Sequence, residues 1–152
     1  MTGSVPSVVG IDHVQLAMPP GPEAEAEAEA FYSGLLGIPR VPKPPALAAR
    51  GGCWFESGAA KVHLGVEEGF RPARKAHPAL VVVGLERLCD LLDRSGHPTR
   101  HSEGVPGRPQ RYVDDPFGNR IELVPARTPR TSAPTAAGPR RGARGDIRPP
   151  GR

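Results

Sequence analysis

The sequence predicts an α+β fold in which two βαβββ modules form a curved half-barrel of sheet. Three observations lead to this prediction: the order strand, helix, three strands occurs twice, each helix ends at a glycine followed by one residue and a proline, and each repeat closes with a β-hairpin. The first predicted module covers residues 9–66, a loop covers 67–76, and the second module covers 77–125.

The first module begins with alternating apolar and polar residues at 11–18, which is typical of a strand. A helix follows, because Pro22 suits a first helical turn, apolar side chains recur at helical spacing, and Gly37 is placed where helices commonly end. Three further strands are expected at 47–50, 52–56 and 60–66, and the last two form a hairpin.

The second module repeats this order. Residues 77–82 predict its first strand, and Leu85, Leu88 and Leu92 recur at helical spacing until Gly96 ends the helix. Its remaining strands are expected at 99–102, 110–114 and 119–124, and the last two again form a hairpin.

The basic character of the chain is concentrated in residues 126–152. The calculated pI is about 9.6, yet this segment alone contains seven arginines against a single acid, Asp146. It is rich in proline and glycine and has no aromatic residue, so it cannot bury enough apolar surface to offset its ordering entropy. We therefore predict a disordered tail. Without interleaved aromatic residues, no specific nucleic-acid partner is expected.

The rest of the composition predicts a cytoplasmic protein. No apolar stretch approaches the roughly 20 residues that span a bilayer, and the first residues lack the features of a signal peptide. Cys53 and Cys89 do not suggest a disulfide framework and are expected to be small buried residues in a reducing compartment. No membrane partner is expected.

Four side chains of metal-ligating type fall on the same side of the predicted strands. One face of each strand is apolar and suits a helix, whereas the opposite face carries one such residue. A solvated sheet face would account for any one of them, but four at matching points of two modules favour a site. Two imidazoles and one carboxylate would leave coordination positions open, as in catalytic metal sites. The candidates are His13, His63, His77 and Glu122.

Residues 9–125 resemble the vicinal oxygen chelate superfamily, which includes glyoxalase I, extradiol dioxygenases, fosfomycin resistance proteins and bleomycin-binding proteins. The resemblance lies in IDHVQLAM, FYSGLLGIP, VHLGV, AHPALVV and YVDDPFGNRIELV, and the last segment is similar to the family hairpin D-P-x-G-N-x-I-E-L. It implies that His13, His77 and Glu122 bind a divalent ion of Fe, Mn, Ni, Co or Zn. His63 stands where glyoxalase I has a glutamate, which leaves it as a fourth ligand, a general base or a substrate-binding group.

The resemblance further implies a metal-dependent enzyme on a small oxygenated substrate, either a glyoxalase-like lyase or isomerase or a ring-cleaving dioxygenase. Glu122 and His63 are the expected catalytic groups, because they can move a proton. The alternative is a metal-free protein that sequesters a drug or metabolite, of the bleomycin resistance type. A homodimer is also expected from the resemblance. The basic residues expected near the substrate are Arg71, Arg74, Lys75 and Arg111.

Overall fold

Two four-stranded mixed sheets, each with its own helices, make up the fold. The computed structural model describes residues 5–102 and 106–127. The predicted tail lies outside the described residues from 128 onward. The first unit consists of β1 (Val14–Met18), α1 (Pro22–Glu29), β2 (Arg40–Val41), α2 (Pro45–Ala48), β3 (Cys53–Ser57) and β4 (Ala60–Val66). The second consists of β5 (Ala79–Val82), α3 (Leu85–Arg94), β6 (Arg100–His101), β7 (Arg111–Asp114) and β8 (Arg120–Pro125).

The strand orders are β1-β4-β3-β2 and β5-β8-β7-β6, so the two sheets have the same topology. In each sheet the first strand runs parallel to the last, which places Val14 opposite Val62 and Ala79 opposite Glu122. The other pairs are antiparallel. The predicted α+β class and the repeated strand order are confirmed. Among the described residues, none of the helices has the length and apolar character needed to cross a membrane.

The first helix changes its hydrogen bonding before it ends. After α1, residues Ala30–Leu35 form a π-helical segment, and the backbone N–H of Leu36 donates to the carbonyl of Phe31, five residues earlier, at 3.0 Å. Such segments are rare and usually short. Gly37 follows with a φ of +72°, which confirms the predicted helix end.

The expected strand at 47–50 is wrong. Part of this segment belongs to the short helix α2, which begins at Pro45, and the strand beside β3 is instead β2, where Arg40 lies opposite Phe55. Proline is favoured in the first turn of a helix, and alanine and leucine are strong helix formers, so the sequence from Pro45 to Ala48 prefers helix over strand.

One hydrophobic core joins the two units. Tyr32 stacks on Phe55 with ring centroids 5.0 Å apart, and Phe31 contacts both Tyr32 and the ring of His97 from the second unit. The two cysteines are buried and free, as expected. Burial raises the pKa of the Cys53 thiol to about 11. The core therefore packs the helical sides of both sheets together.

Candidate functional site

His77 and Glu122 face each other at the start of the second sheet. His77 lies just before β5 and Glu122 lies on β8, and the backbone N–H of Glu122 donates to the carbonyl of Pro78 at 2.9 Å. The Nε2 atom of His77 is 3.4 Å from Oε2 of Glu122, and their side chains are 19% and 15% exposed. The parallel pairing of β5 with β8 thus brings together two of the three predicted ligands.

A backbone hydrogen bond determines which nitrogen of His77 is available. Nδ1 of His77 lies 2.7 Å from the carbonyl oxygen of Lys75. A carbonyl oxygen only accepts hydrogen bonds, so Nδ1 carries the proton. In the neutral imidazole, Nε2 is then an unprotonated acceptor that faces the carboxylate of Glu122. Two hydrogen-bond acceptors then face each other, which is favourable when the ring carries a second proton or when a cation lies between them.

The spacing of this pair suits two ligands of one ion. Donor atoms that each lie about 2.1 Å from a shared ion in octahedral or tetrahedral geometry stand roughly 3.0–3.4 Å apart. The observed 3.4 Å falls within that range. A metal-bound histidine usually donates its other ring N–H to a carbonyl or carboxylate, and His77 does so. Two donors of the implied metal site therefore fit.

His13 shows the same pattern in the first unit. It lies just before β1, and its Nδ1 is 2.8 Å from Oδ2 of Asp12, a carboxylate that also pairs with Lys61 at 3.3 Å. These hydrogen bonds, with that from His13 as the largest cause, lower the pKa of Asp12. The carboxylate therefore accepts the proton of Nδ1, which leaves Nε2 of His13 available as a metal ligand.

His63 differs from the other two histidines because its Nε2 is already engaged. This atom lies 2.8 Å from Oε1 of Glu56, and the ring is stacked between Trp54 and His13 with centroid distances of 4.1 and 4.4 Å. The residue is 5% exposed. Of the three roles expected for His63, ligation through Nε2 would require breaking the Glu56 contact. Glu56 was missed from the sequence, although its alternation with Trp54 on β3 could have placed it near this strand.

The four candidates form two pairs and not one cluster. Among residues 5–102 and 106–127 there is no group of three His, Cys, Asp or Glu side chains placed to hold a metal ion. His13 and His77 nevertheless line one cavity of about 650 Å³, together with Lys61 and several apolar side chains from β5. Glu122 does not line this cavity. The His13–His63 pair and the His77–Glu122 pair are therefore two half-sites.

The basic residues expected near the substrate lie in different surroundings. Arg71, Arg74 and Lys75 are exposed in the loop between the units, and Lys75 contacts His77 through its carbonyl. Arg111 pairs with Glu86 of α3 at 3.2 Å, on the helical side of the sheet. Contact of these four side chains with a substrate stays a prediction.

Two residues of the second sheet were missed from the sequence. Tyr112 contacts the ring of His77 edge-on at 5.3 Å, and the guanidinium of Arg120 lies over the Tyr112 ring at 5.1 Å. Tyr112 lies opposite Glu122 in the sheet. Strand alternation could have found Arg120, because it is two residues before Glu122 and so shares its face.

Comparisons with known proteins identify the fold. No family model and no curated protein matches the sequence. A protein from Bacillus anthracis that is assigned to the glyoxalase family is 42% identical over 82% of this chain and 100% of that chain, with a TM-score of 0.75. The fosfomycin resistance protein FosX from Listeria monocytogenes is 12% identical over 80% of this chain and 96% of that chain, with a TM-score of 0.62. A lactoylglutathione lyase from Agrobacterium tumefaciens is 20% identical over 76% and 92%, with a TM-score of 0.57.

Proposed function

This chain belongs to the glyoxalase family of the vicinal oxygen chelate superfamily, and we propose that it is a metal-dependent enzyme acting on a small oxygenated substrate. The reaction class is that of a glyoxalase-like lyase or isomerase, or of a ring-cleaving dioxygenase. The observation that carries the proposal is the His77–Glu122 pair, in which the Nε2 atom of the imidazole lies 3.4 Å from a carboxylate oxygen. A cytoplasmic location is part of the proposal, supported by two free, buried thiols.

The proposed ligands are His13, His77 and Glu122. The hydrogen bonds to Lys75 and Asp12 support the two histidines in this role, because they hold the proton on Nδ1 and leave Nε2 free. A divalent Fe, Mn, Ni, Co or Zn ion would polarise two neighbouring oxygens of the substrate when bound. The carboxylate of Glu122 would hold or release a proton at Oε1, the oxygen other than the one that faces His77.

His63 has a separate role in this proposal, as a proton acceptor. Its Nε2–H donates to Glu56, which leaves Nδ1 with a lone pair. Glu56 and the stacked ring of Trp54 hold the imidazole in one orientation, as a general base requires. The catalytic pair would then be Glu122 and His63.

Metal binding tests the proposal directly. Protein purified without added metal is analysed for its elements and then titrated calorimetrically with Ni²⁺, Co²⁺ and Mn²⁺. We expect one ion per site and a loss of at least tenfold in affinity for His77→Ala and for Glu122→Ala. His101→Ala is the matched control, because that exposed histidine lies on β6, away from both half-sites. Unchanged affinity in His77→Ala would contradict the proposal.

A metal-free protein that sequesters a drug or metabolite is the second candidate. It is favoured by the cavity of about 650 Å³, whose lining from Pro78 to Val81 is apolar. Ligand affinity that is the same with and without EDTA, in wild type and in His77→Ala, would support this candidate over the enzyme.

We also propose that the protein is a homodimer. In the described residues, β1 and β5 each lie at the outer position of their sheet with one unpaired edge. Exposed apolar side chains accompany these edges, with Ile11 84%, Val81 70% and Val83 90% exposed. A second copy that covers both edges would bury them. Analytical ultracentrifugation of wild type and Val81→Lys measures the expected dimer and its weakening, and a monomeric wild type at micromolar concentration would exclude it.

A further inference from the structure

The guanidinium of Arg120 is a partly buried cation without a partner in the described structure. Its Nε atom is the one buried side-chain nitrogen or oxygen among the described residues that lacks a hydrogen bond. Arg120 also forms no ion pair with any carboxylate in residues 5–102 and 106–127. A buried N–H group without a partner costs free energy. The unpaired Nε–H of Arg120 is therefore destabilising unless a ligand supplies the acceptor.

The residue opposite Arg120 in the sheet has a carboxylate, but another arginine already pairs with it. Asp114 on β7 lies directly opposite Arg120 in the antiparallel pair. Its carboxylate instead accepts a hydrogen bond from Arg100 on β6 at 2.8 Å. Arg120 lies over the ring of Tyr112 at 5.1 Å, which holds the planar head in place but leaves its in-plane donors free.

Arg120 and Glu122 share one face of the second sheet. Arg120 and Glu122 are two residues apart on β8, a spacing of roughly 7 Å along a strand. The ring of Tyr112 contacts both Arg120 and His77. One small molecule could therefore reach the guanidinium with one end and the His77–Glu122 pair with the other.

We propose that Arg120 binds the carboxylate of a small 2-oxo or 2-hydroxy acid whose neighbouring oxygen reaches the His77–Glu122 pair. This rests on the proposed function and names its substrate class. The Nε–H and one terminal N–H of a guanidinium form a planar fork that matches the two oxygens of a carboxylate. The carboxylate would supply the partner that Arg120 lacks, and Tyr112 would fix the plane in which it binds.

The test compares two probes that differ in one group. Pyruvate has a carboxylate where pyruvamide has a neutral carboxamide, and both carry an adjacent ketone. Binding is measured by NMR on the metal-free and the Ni²⁺-treated full-length protein, following the arginine Nε–H signals, with the Arg120 signal identified by its loss in Arg120→Lys. We expect pyruvate but not pyruvamide to shift the Arg120 signal in metal-free protein. Arg120→Gln should weaken pyruvate binding roughly tenfold or more.

Arg87→Gln is the matched control, since it removes the same charge from an exposed arginine on α3. Its pyruvate affinity should stay within about twofold of wild type, and circular dichroism checks that each variant is folded. Arg120→Lys keeps the charge without the fork and should bind pyruvate more weakly than wild type.

The proposal is overturned if pyruvate leaves the Arg120 signal unmoved, if pyruvamide binds equally well, or if Arg120→Gln binds pyruvate like wild type. Tighter binding of inorganic phosphate than of pyruvate at Arg120 would overturn the assignment of a carboxylic acid. Because the anion is measured without metal, a shift at Arg120 together with absent Ni²⁺ binding would refute the metal enzyme and leave the Arg120 site standing.

Discussion

The phenol of Tyr32 donates a hydrogen bond to the carboxylate of Asp115 at 2.9 Å, across 83 positions of sequence. Both residues are buried, and Asp115 also accepts hydrogen bonds from the side chain and backbone of Asn119. Asn119 in turn donates to the carbonyl of Ala17 at 2.9 Å. Burial raises the pKa of Asp115, although its hydrogen bonds act in the opposite direction. The turn between β7 and β8 thus joins the second unit to the first.

Removing the hydroxyl of Tyr32 should destabilise this contact between the two units. Tyr32→Phe keeps the stacked ring but leaves the buried Asp115 with one donor fewer, so we expect a loss of about 1–3 kcal/mol in the free energy of unfolding. Urea denaturation measures it. Tyr112→Phe is the control, because the Tyr112 hydroxyl has no hydrogen bond among the described residues, and its effect should be well under 1 kcal/mol. Equal effects of both variants would contradict the structural role of the Tyr32–Asp115 bond.

Tyr32 should also make the protein sensitive to alkali. Burial, followed by the nearby charge of Asp115, raises the pKa of Tyr32 well above its ordinary value of 10.0. The unfolded phenol ionises near pH 10 whereas the folded one stays protonated, so its stabilising contribution is present below pH 10 and is lost as the pH rises further. Urea midpoints from pH 8 to 11 should fall more steeply for wild type than for Tyr32→Phe. Parallel curves would contradict this assignment.

The stack of Trp54 on His63 should be visible in fluorescence, because Trp54 is the only tryptophan of the chain. His63→Ala removes the ring beside the indole and the donor to Glu56, so we expect red-shifted emission and a loss of about 2 kcal/mol in the free energy of unfolding. His63→Phe keeps an aromatic ring and should largely preserve the emission maximum. It should still be less stable than wild type, because Glu56 loses its hydrogen-bond donor. An unchanged spectrum in His63→Ala would show that the stack does not form in solution.

Gly52 should be intolerant of any side chain. Its φ is +86°, and a Cβ atom would lie 2.3 Å from the carbonyl oxygen of Leu64. Gly52→Ala is expected to cost about 2–4 kcal/mol in the free energy of unfolding. Gly34→Ala is the matched control, since nothing lies within 4 Å of its Cβ position and its helical backbone gains up to about 1 kcal/mol from alanine. Thermal denaturation distinguishes the two, and a neutral Gly52→Ala would refute the close approach.

Local patterns predicted much of the fold, because they depend on neighbouring residues. The glycines at the helix ends have positive φ, as Gly37 and Gly96 were expected to have. The short helix α2 was missed because the segment is too short to show a period, and β2 has only two residues. The partners of Asp115 and Asn119 could not be predicted, because nothing in the local sequence indicates that these residues bind Tyr32 and Ala17.

The sequence by itself determined the repeated modules and the residue types that could bind a metal, because strand alternation and helix ends are local properties. Only the tertiary structure decided which of those residues meet. It pairs His77 with Glu122 and stacks His63 on His13, and it engages Nε2 of His63 with Glu56. Among the described residues it also leaves Nε of Arg120 without a hydrogen bond, because the pairing of Arg100 with Asp114 depends on three strands coming together in space.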